Sequence, residues 1–215
     1  MNAPLTIIDL DALYDAPLGE KPFPYVVVNE FLRPEFAHNI CRDFPEIKSR
    51  GSYPLQELEY GEAFQQLVEE LESPALKAVI AEKFQMDLDD RFTLITVRAI
   101  ANAGDGRIHT DTKSKYLTML LYLNPAWDAE GGRLRLLRND KDLEDYVVEI
   151  PPTFGTCVLF RVTENCWHGH KSFNGPRKVL QLNYVKDEAA LNRSVRRHRL
   201  SAKLKAILQP FRSMD

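Results

Sequence analysis

The chain has 215 residues, 44% of them hydrophobic and 27% charged, which is the composition of a globular protein long enough to bury a real core. Its 28 basic and 31 acidic residues give a formal charge of −3, so no overall attraction to nucleic acid or an anionic membrane is expected. No apolar run approaches the roughly 20 residues that cross a bilayer, the N-terminus lacks the basic region of a secretory signal, and Cys41, Cys157 and Cys166 are odd in number and without metal spacing; a cytoplasmic protein with reduced thiols, one domain over 1–215, is the expectation.

Residues 1–24 are punctuated by proline and are expected to wrap the surface. Tyr25–Val28 is a β-branched run that reads as the first strand. Pro34 suits a first helical position, and Phe36, Ala37, Ile40, Cys41 and Phe44 follow at helical spacing until Pro45 ends the helix. The polar stretch 46–62 reads as a loop, either plain surface or a lid that touches substrate. Phe64, Leu67, Val68 and Leu71 mark a further helix; Ser73 and Pro74 then look like an N-cap and first turn for another, with Leu76, Val79, Ile80 and Phe84 as its apolar stripe.

The second half changes character. Phe92–Ile100, Tyr116–Leu123, Gly132–Leu137, Tyr146–Ile150, Thr156–Val162 and Lys178–Val185 are short runs of β formers separated by Pro, Gly, Asn and Asp. Helices first and many short strands afterwards predict an α+β, mainly β architecture: a sandwich, jelly roll or barrel with helices on one sheet face. A last helix is expected over Ser194–Leu208. Its basic residues (Arg193, Arg196, Arg197, Arg199, Lys203 and Lys205) read as a solvated face, because no aromatic residues interleave with them.

Two of the five histidines, His38 and His198, fall on helical or basic stretches, whereas His109, His168 and His170 lie in strand or strand-edge contexts. His109 and Asp111 are two apart, so in an extended chain their side chains project to one face. Such a pair is two-thirds of the 2-His-1-carboxylate set that holds non-haem Fe(II) with open positions. Alone, it is equally a hydrogen-bonded pair at a strand end. His168 offers a second imidazole, and Arg177, nine residues on, heads an apolar strand with a planar fork suited to a carboxylate.

Three segments, HTD at 109–111, LYLNPAWDAEGGRLRLL at 121–137 and WHGHKSFNGPR at 167–177, resemble in order and spacing the Fe(II)- and 2-oxoglutarate-dependent dioxygenases, in particular the prolyl-hydroxylase-like branch. The resemblance implies a double-stranded β-helix (jelly roll), with 1–90 an N-terminal strand and supporting helices, 91–186 the catalytic core and 187–215 a C-terminal helix. It further implies that His109, Asp111 and His168 bind iron, and that Arg177 and Tyr122 hold the distal carboxylate of 2-oxoglutarate. Strand parity adds Tyr116, Thr118, Gln181 and Asn183 to the pocket-facing residues. His170 is left between a supporting role, a substrate contact and simple exposure. A tyrosine that relatives carry about ten residues before the first ligand is missing; Arg98, Asn102 or Arg107 could take its place at the 1-carboxylate.

The chemistry implied is hydroxylation of a C–H bond by molecular oxygen, coupled to decarboxylation of 2-oxoglutarate to succinate. Related halogenases lack the carboxylate that Asp111 supplies, and nucleic-acid demethylases of the AlkB type carry a second arginine where this chain has Asn183. The expected substrate is therefore a peptide or protein side chain such as proline, or else a free amino acid or small metabolite, with no nucleic acid and no membrane as partner. A non-catalytic jelly-roll binding or regulatory module is the reading from another class.

Overall fold

The computed structural model describes residues 6–189 together with 191, 192 and 196. The helix expected over 194–208 and most of its basic residues lie outside the described residues.

The described residues form nine strands: β1 (Tyr25–Val28), β2 (Tyr53–Pro54), β3 (Phe92–Ala101), β4 (Lys115–Tyr122), β5 (Leu134–Leu137), β6 (Tyr146–Ile150), β7 (Cys157–Arg161), β8 (His168–Gly169) and β9 (Gly175–Val185). They pair antiparallel in a six-stranded sheet of order β1-β7-β4-β9-β3-β2 and a three-stranded sheet of order β6-β5-β8. Adjacent strands of the larger sheet come from distant parts of the sequence, as a jelly roll requires. Alternation along each strand then sorts the side chains. Leu117, Met119 and Leu121 of β4, Leu159 of β7 and Leu180 and Leu182 of β9 join the core under the helices. Tyr122, Val158, Phe160 and Val179 point the other way and meet Leu134, Leu136 and Ile150 of the smaller sheet.

Among the described residues four helices cover the first face: α1 (Leu10–Asp15), α2 (Ala37–Arg42), α3 (Glu62–Leu71) and α4 (Pro74–Phe84). In α3 the buried residues are Phe64, Leu67, Val68 and Leu71, the stripe read from the sequence. The hydroxyl of Ser73 accepts from the Leu76 amide at 3.2 Å and caps α4, which ends on Gln85 in the left-handed region at φ 48°. Val79 is only partly buried, at the edge of the stripe.

The N-terminus departs from expectation. Rather than wrapping the surface, it places Ile7, Ile8 and Leu13 in the core, all at most 2% exposed. Asp9 caps α1 by accepting from the Ala12 amide at 3.1 Å, and the Glu70 carboxylate accepts from the amides of Ile7 and Ile8 at 3.0 and 2.8 Å. Those two bonds satisfy backbone donors that would otherwise be buried without partners. A six-residue helix is too short to declare a 3.6 period, so the sequence hid it. The segment after Pro34 is likewise reduced, to a 3₁₀ turn over Pro34–Phe36 and the short α2, which stops at Arg42 before Phe44. Within 46–62 the loop contains β2, whose Tyr53 and Pro54 pair with Val97 and Thr96 at the edge of the larger sheet.

Candidate metal centre

His109 lies beyond β3 in an isolated bridge to His168, each residue's amide donating to the other's carbonyl at 3.0 Å. That bridge ties the H-x-D segment to β8 and sets the two imidazole rings 4.3 Å apart, centroid to centroid. The Nδ1 of His109 meets the Arg107 carbonyl at 2.8 Å, and the Nδ1 of His168 meets the Cys166 carbonyl at the same distance. A carbonyl can only accept, so Nδ1 carries the proton in both rings and Nε2 is left as the ligand atom. One ligand atom each from His109, Asp111 and His168 lies within 4.8 Å of the others, near enough for side-chain adjustment alone to bring them to one ion. Two imidazoles and one carboxylate on one side is the donor set of non-haem Fe(II), so the residues present fit this metal.

Asp111 is held from two directions. Lys115 Nζ donates to Oδ1 at 2.8 Å and the Thr118 hydroxyl donates to Oδ2. Burial pushes its pKa up, but the Lys115 ammonium, the nearby His168 and the two hydrogen bonds outweigh burial and hold the carboxyl below its ordinary value. It is therefore an anion oriented for a cation.

The triad sits in a cavity of about 380 Å³ between the sheets, and Arg177 lines the same cavity. Arg177 is 5% exposed, yet among the described residues it has no carboxylate partner. Its Nε donates to the Gly132 carbonyl at 2.8 Å and one terminal nitrogen donates to the Tyr122 hydroxyl at 3.3 Å. Burial raises the Tyr122 pKa against the opposing charge of Arg177, so the phenol keeps its proton. Since Tyr122 accepts from Arg177, that proton is left to donate elsewhere. A buried cation with a phenol beside it and no anion fits a carboxylate co-substrate.

The turn ahead of β5 serves the same end. Trp127 Nε1 donates to the Gly131 carbonyl at 3.0 Å, and Gly132 adopts φ +78°, where a Cβ would sit 2.6 Å from the Trp127 ring. Gly132→Ala is thus strained twice over and displaces the carbonyl that holds Arg177. The expected result is a weaker response to 2-oxoglutarate with iron binding retained, measured by titrating each into the purified variant.

Thr118, Gln181 and Asn183, which strand parity points to, line the cavity, and so does His170, whose place the sequence leaves open. Gln181 donates to Asn183 Oδ1 at 3.1 Å, linking two strand neighbours on the cavity wall. His170 is buried rather than exposed, with Nδ1 on the Lys171 carbonyl, and it stands outside the triad. Tyr116 is a correction. A register shift between Lys115 and Leu117 breaks the alternation at the start of β4, so Tyr116 turns away from the cavity and lies 4.2 Å under the Arg91 guanidinium. The same bulge delivers Lys115 to the cavity, a residue that sequence parity did not select. Of the three candidates for the missing tyrosine, Arg98 lines the cavity, Arg107 is exposed and Asn102 lies in a separate depression.

Both cavity histidines of the smaller sheet side are kept neutral. Burial, then the charge of His109, lowers the His168 pKa to about 4; burial, then Arg177, lowers that of His170 to about 4. An unfolded chain binds protons at these positions below about 6.5, whereas the native protein does not until about 4. Stability of the metal-free protein should therefore fall as pH drops from 6.5 to 4 and gain no further slope from these groups below that. Urea midpoints across that range check it; His168→Asn with His170→Asn should flatten the slope.

A jelly roll with two imidazoles, a carboxylate and open positions at one cavity defines a mononuclear non-haem iron site. Residues 96–185, a stretch that contains the triad, Tyr122 and Arg177, match the family model of the 2OG-Fe(II) oxygenase superfamily. The chain is accordingly an oxidoreductase that works with Fe(II), 2-oxoglutarate and O2. No curated protein sequence matches it. Among solved structures, it is similar to a prolyl-4-hydroxylase of Pseudomonas putida, at 19% identity and a TM-score of 0.57 over 83% of this chain and 97% of that one. The viral collagen prolyl hydroxylase of Paramecium Bursaria Chlorella virus-1 in its 2OG complex follows at 14% identity and 0.53, covering 76% and 96%. A prolyl 4-hydroxylase of Phytophthora capsici gives 16% and 0.53, covering 87% and 68%. These likenesses establish the fold.

Proposed function

We propose that the protein hydroxylates a C–H bond of a peptide or protein side chain, proline being the first candidate, with release of succinate and CO2. The observation that carries this reading is Arg177, buried and without a carboxylate partner among the described residues, in the same cavity as the His109, Asp111 and His168 set. The similar solved structures named as prolyl hydroxylases support the choice of proline. When bound, Fe(II) with 2-oxoglutarate supplies the activation of O2. The residues of the chain do the rest: His109 and His168 present Nε2, Asp111 supplies the anion, and Arg177 with Tyr122 fixes the far carboxylate so that the keto acid can lie only one way in the cavity.

Within the same reading the catalytic core and the helices over it form one domain, because α3, α4 and the larger sheet share one core. Among the described residues no helix is long and apolar enough to cross a membrane, which supports a cytoplasmic site of action together with the free thiols of Cys41, Cys157 and Cys166.

Aerobic turnover with Fe(II), 2-oxoglutarate and proline-containing peptides, following succinate and incorporation of isotopic oxygen by mass spectrometry, is the test. Absence of succinate with every peptide, and no anaerobic absorption band on adding 2-oxoglutarate to the iron protein, would overturn the proposal.

A further inference from the structure

A second depression, of about 300 Å³, lies against the metal cavity and shares one residue with it, Lys115. The sheet order explains why. β7, β4 and β9 are neighbours, and Lys115 opens β4, Arg161 closes β7 and Lys186 follows β9. Antiparallel pairing therefore brings three strand ends, each with a cation, to one edge: Leu117 faces Arg161, Lys115 faces Val185, and the Lys186 amide donates to the Ser114 carbonyl at 2.9 Å.

The depression holds Lys113, Lys115, Arg161 and Lys186 against a single carboxylate, Glu164, and Lys113 already takes it at 2.7 Å. Among the described residues no ion pair engages Arg161 or Lys186. Lys115 has Asp111, but in the loaded site that carboxylate is shared with a divalent metal, so the ammonium loses part of its compensation. The metal and a dianionic co-substrate cancel one another in charge and do not relieve the excess. Like charges that line one depression favour an anion that joins them. The Lys115 side chain, only 12% exposed, connects this basic edge to the metal ligand itself.

We propose that this trough binds the acidic flank of the polypeptide whose side chain is oxidised in the adjoining cavity. The proposal rests on the polypeptide reading given above and narrows it to a target with Asp or Glu beside the modified residue. An acidic peptide fits better than nucleic acid. Among the described residues the one aromatic ring in the trough, Tyr116, already carries the Arg91 guanidinium at 4.2 Å and Lys186 Nζ at 5.6 Å, so a stacking base would have to compete with both.

The experiment is fluorescence anisotropy on the full chain with two labelled peptides that differ only in flank, one proline followed by a run of glutamates and the other by glutamines. The expected result is tighter binding of the glutamate peptide by about tenfold, an advantage that shrinks with added salt and disappears in Arg161→Glu/Lys186→Glu. Arg161→Gln/Lys186→Gln, which should reduce it by roughly half in logarithmic terms, replaces the charge reversal if the latter lowers the melting temperature. Equal affinity for the two peptides, or an unchanged glutamate preference in the variants, overturns the proposal. Tighter binding of a single-stranded oligonucleotide than of the glutamate peptide overturns it in favour of nucleic acid. Because anisotropy needs no turnover, a missing succinate signal would count against the hydroxylase reading alone, and a missing glutamate preference against the trough alone.

Discussion

His168→Ala should abolish iron binding and lower succinate release by well over a hundredfold, since loss of even an outer-shell partner of a ligand costs on the order of 10- to 100-fold. The ring is 4% exposed and packs 4.9 Å from the Phe160 ring and 4.3 Å from His109, so its removal also opens a hole between the sheets. A stability loss of about 2 kcal/mol follows from that packing alone. Two comparisons separate the metal role from the packing role. His109 is exposed, and His109→Ala should cost little stability yet remove iron as completely. His170 is buried beside the site but is not in the triad; His170→Ala should cost stability and keep iron. Anaerobic Fe(II) titration and thermal melts on the three variants give the answer. Iron binding retained by His109→Ala, or lost equally by His170→Ala, would break the assignment of ligands.

What the sequence made legible was whatever repeats with a period or stands at a fixed spacing. The stripe of α3, the Ser73 cap and the alternation along β9 each involve residues whose environment is set by local geometry, and each reads through to the structure. The triad was legible because an extended H-x-D must project two side chains together, and the bridge between His109 and His168 supplies the one long-range contact the sequence could only imply. Where tertiary partners decide, the reading failed. The N-terminus is held in the core by the Glu70 carboxylate, 62 and 63 residues away, and no local pattern marks that.

The bulge in β4 is the more instructive miss. It carries no glycine or proline to announce it, and one extra residue reverses the facing of everything before it. Tyr116 and Lys115 exchange places as a result: an aromatic expected at the pocket leaves it, and a cation enters beside Asp111. The site therefore carries more positive charge than its motif announces, and this excess is what distinguishes the chain from a bare ligand set.

Arg177→Met should raise the 2-oxoglutarate concentration needed for half-maximal turnover by between about 10- and 150-fold, because a charge-assisted hydrogen bond is worth roughly 1.5–3 kcal/mol and tenfold corresponds to about 1.4. Turnover at saturating co-substrate should largely return, since the iron ligands are untouched. Arg177→Lys should fall between, a point charge replacing the fork that lies against the Gly132 carbonyl and the Tyr122 hydroxyl. Tyr122→Phe, which removes one neutral donor, should cost only several-fold. The stability effect has the opposite sign. Without co-substrate, Arg177 is a buried cation with no carboxylate among the described residues, so the methionine variant should melt no lower than the parent and can melt higher. With 2-oxoglutarate and Mn(II) added, the parent should gain melting temperature by mass action and the variant should gain far less at the same concentration. A variant that loses stability without ligand yet keeps its full 2-oxoglutarate shift would show Arg177 to be structural. The distal carboxylate would then have to be sought at Arg98, the other guanidinium in the cavity wall, which is already engaged with Asp105 at 3.4 Å.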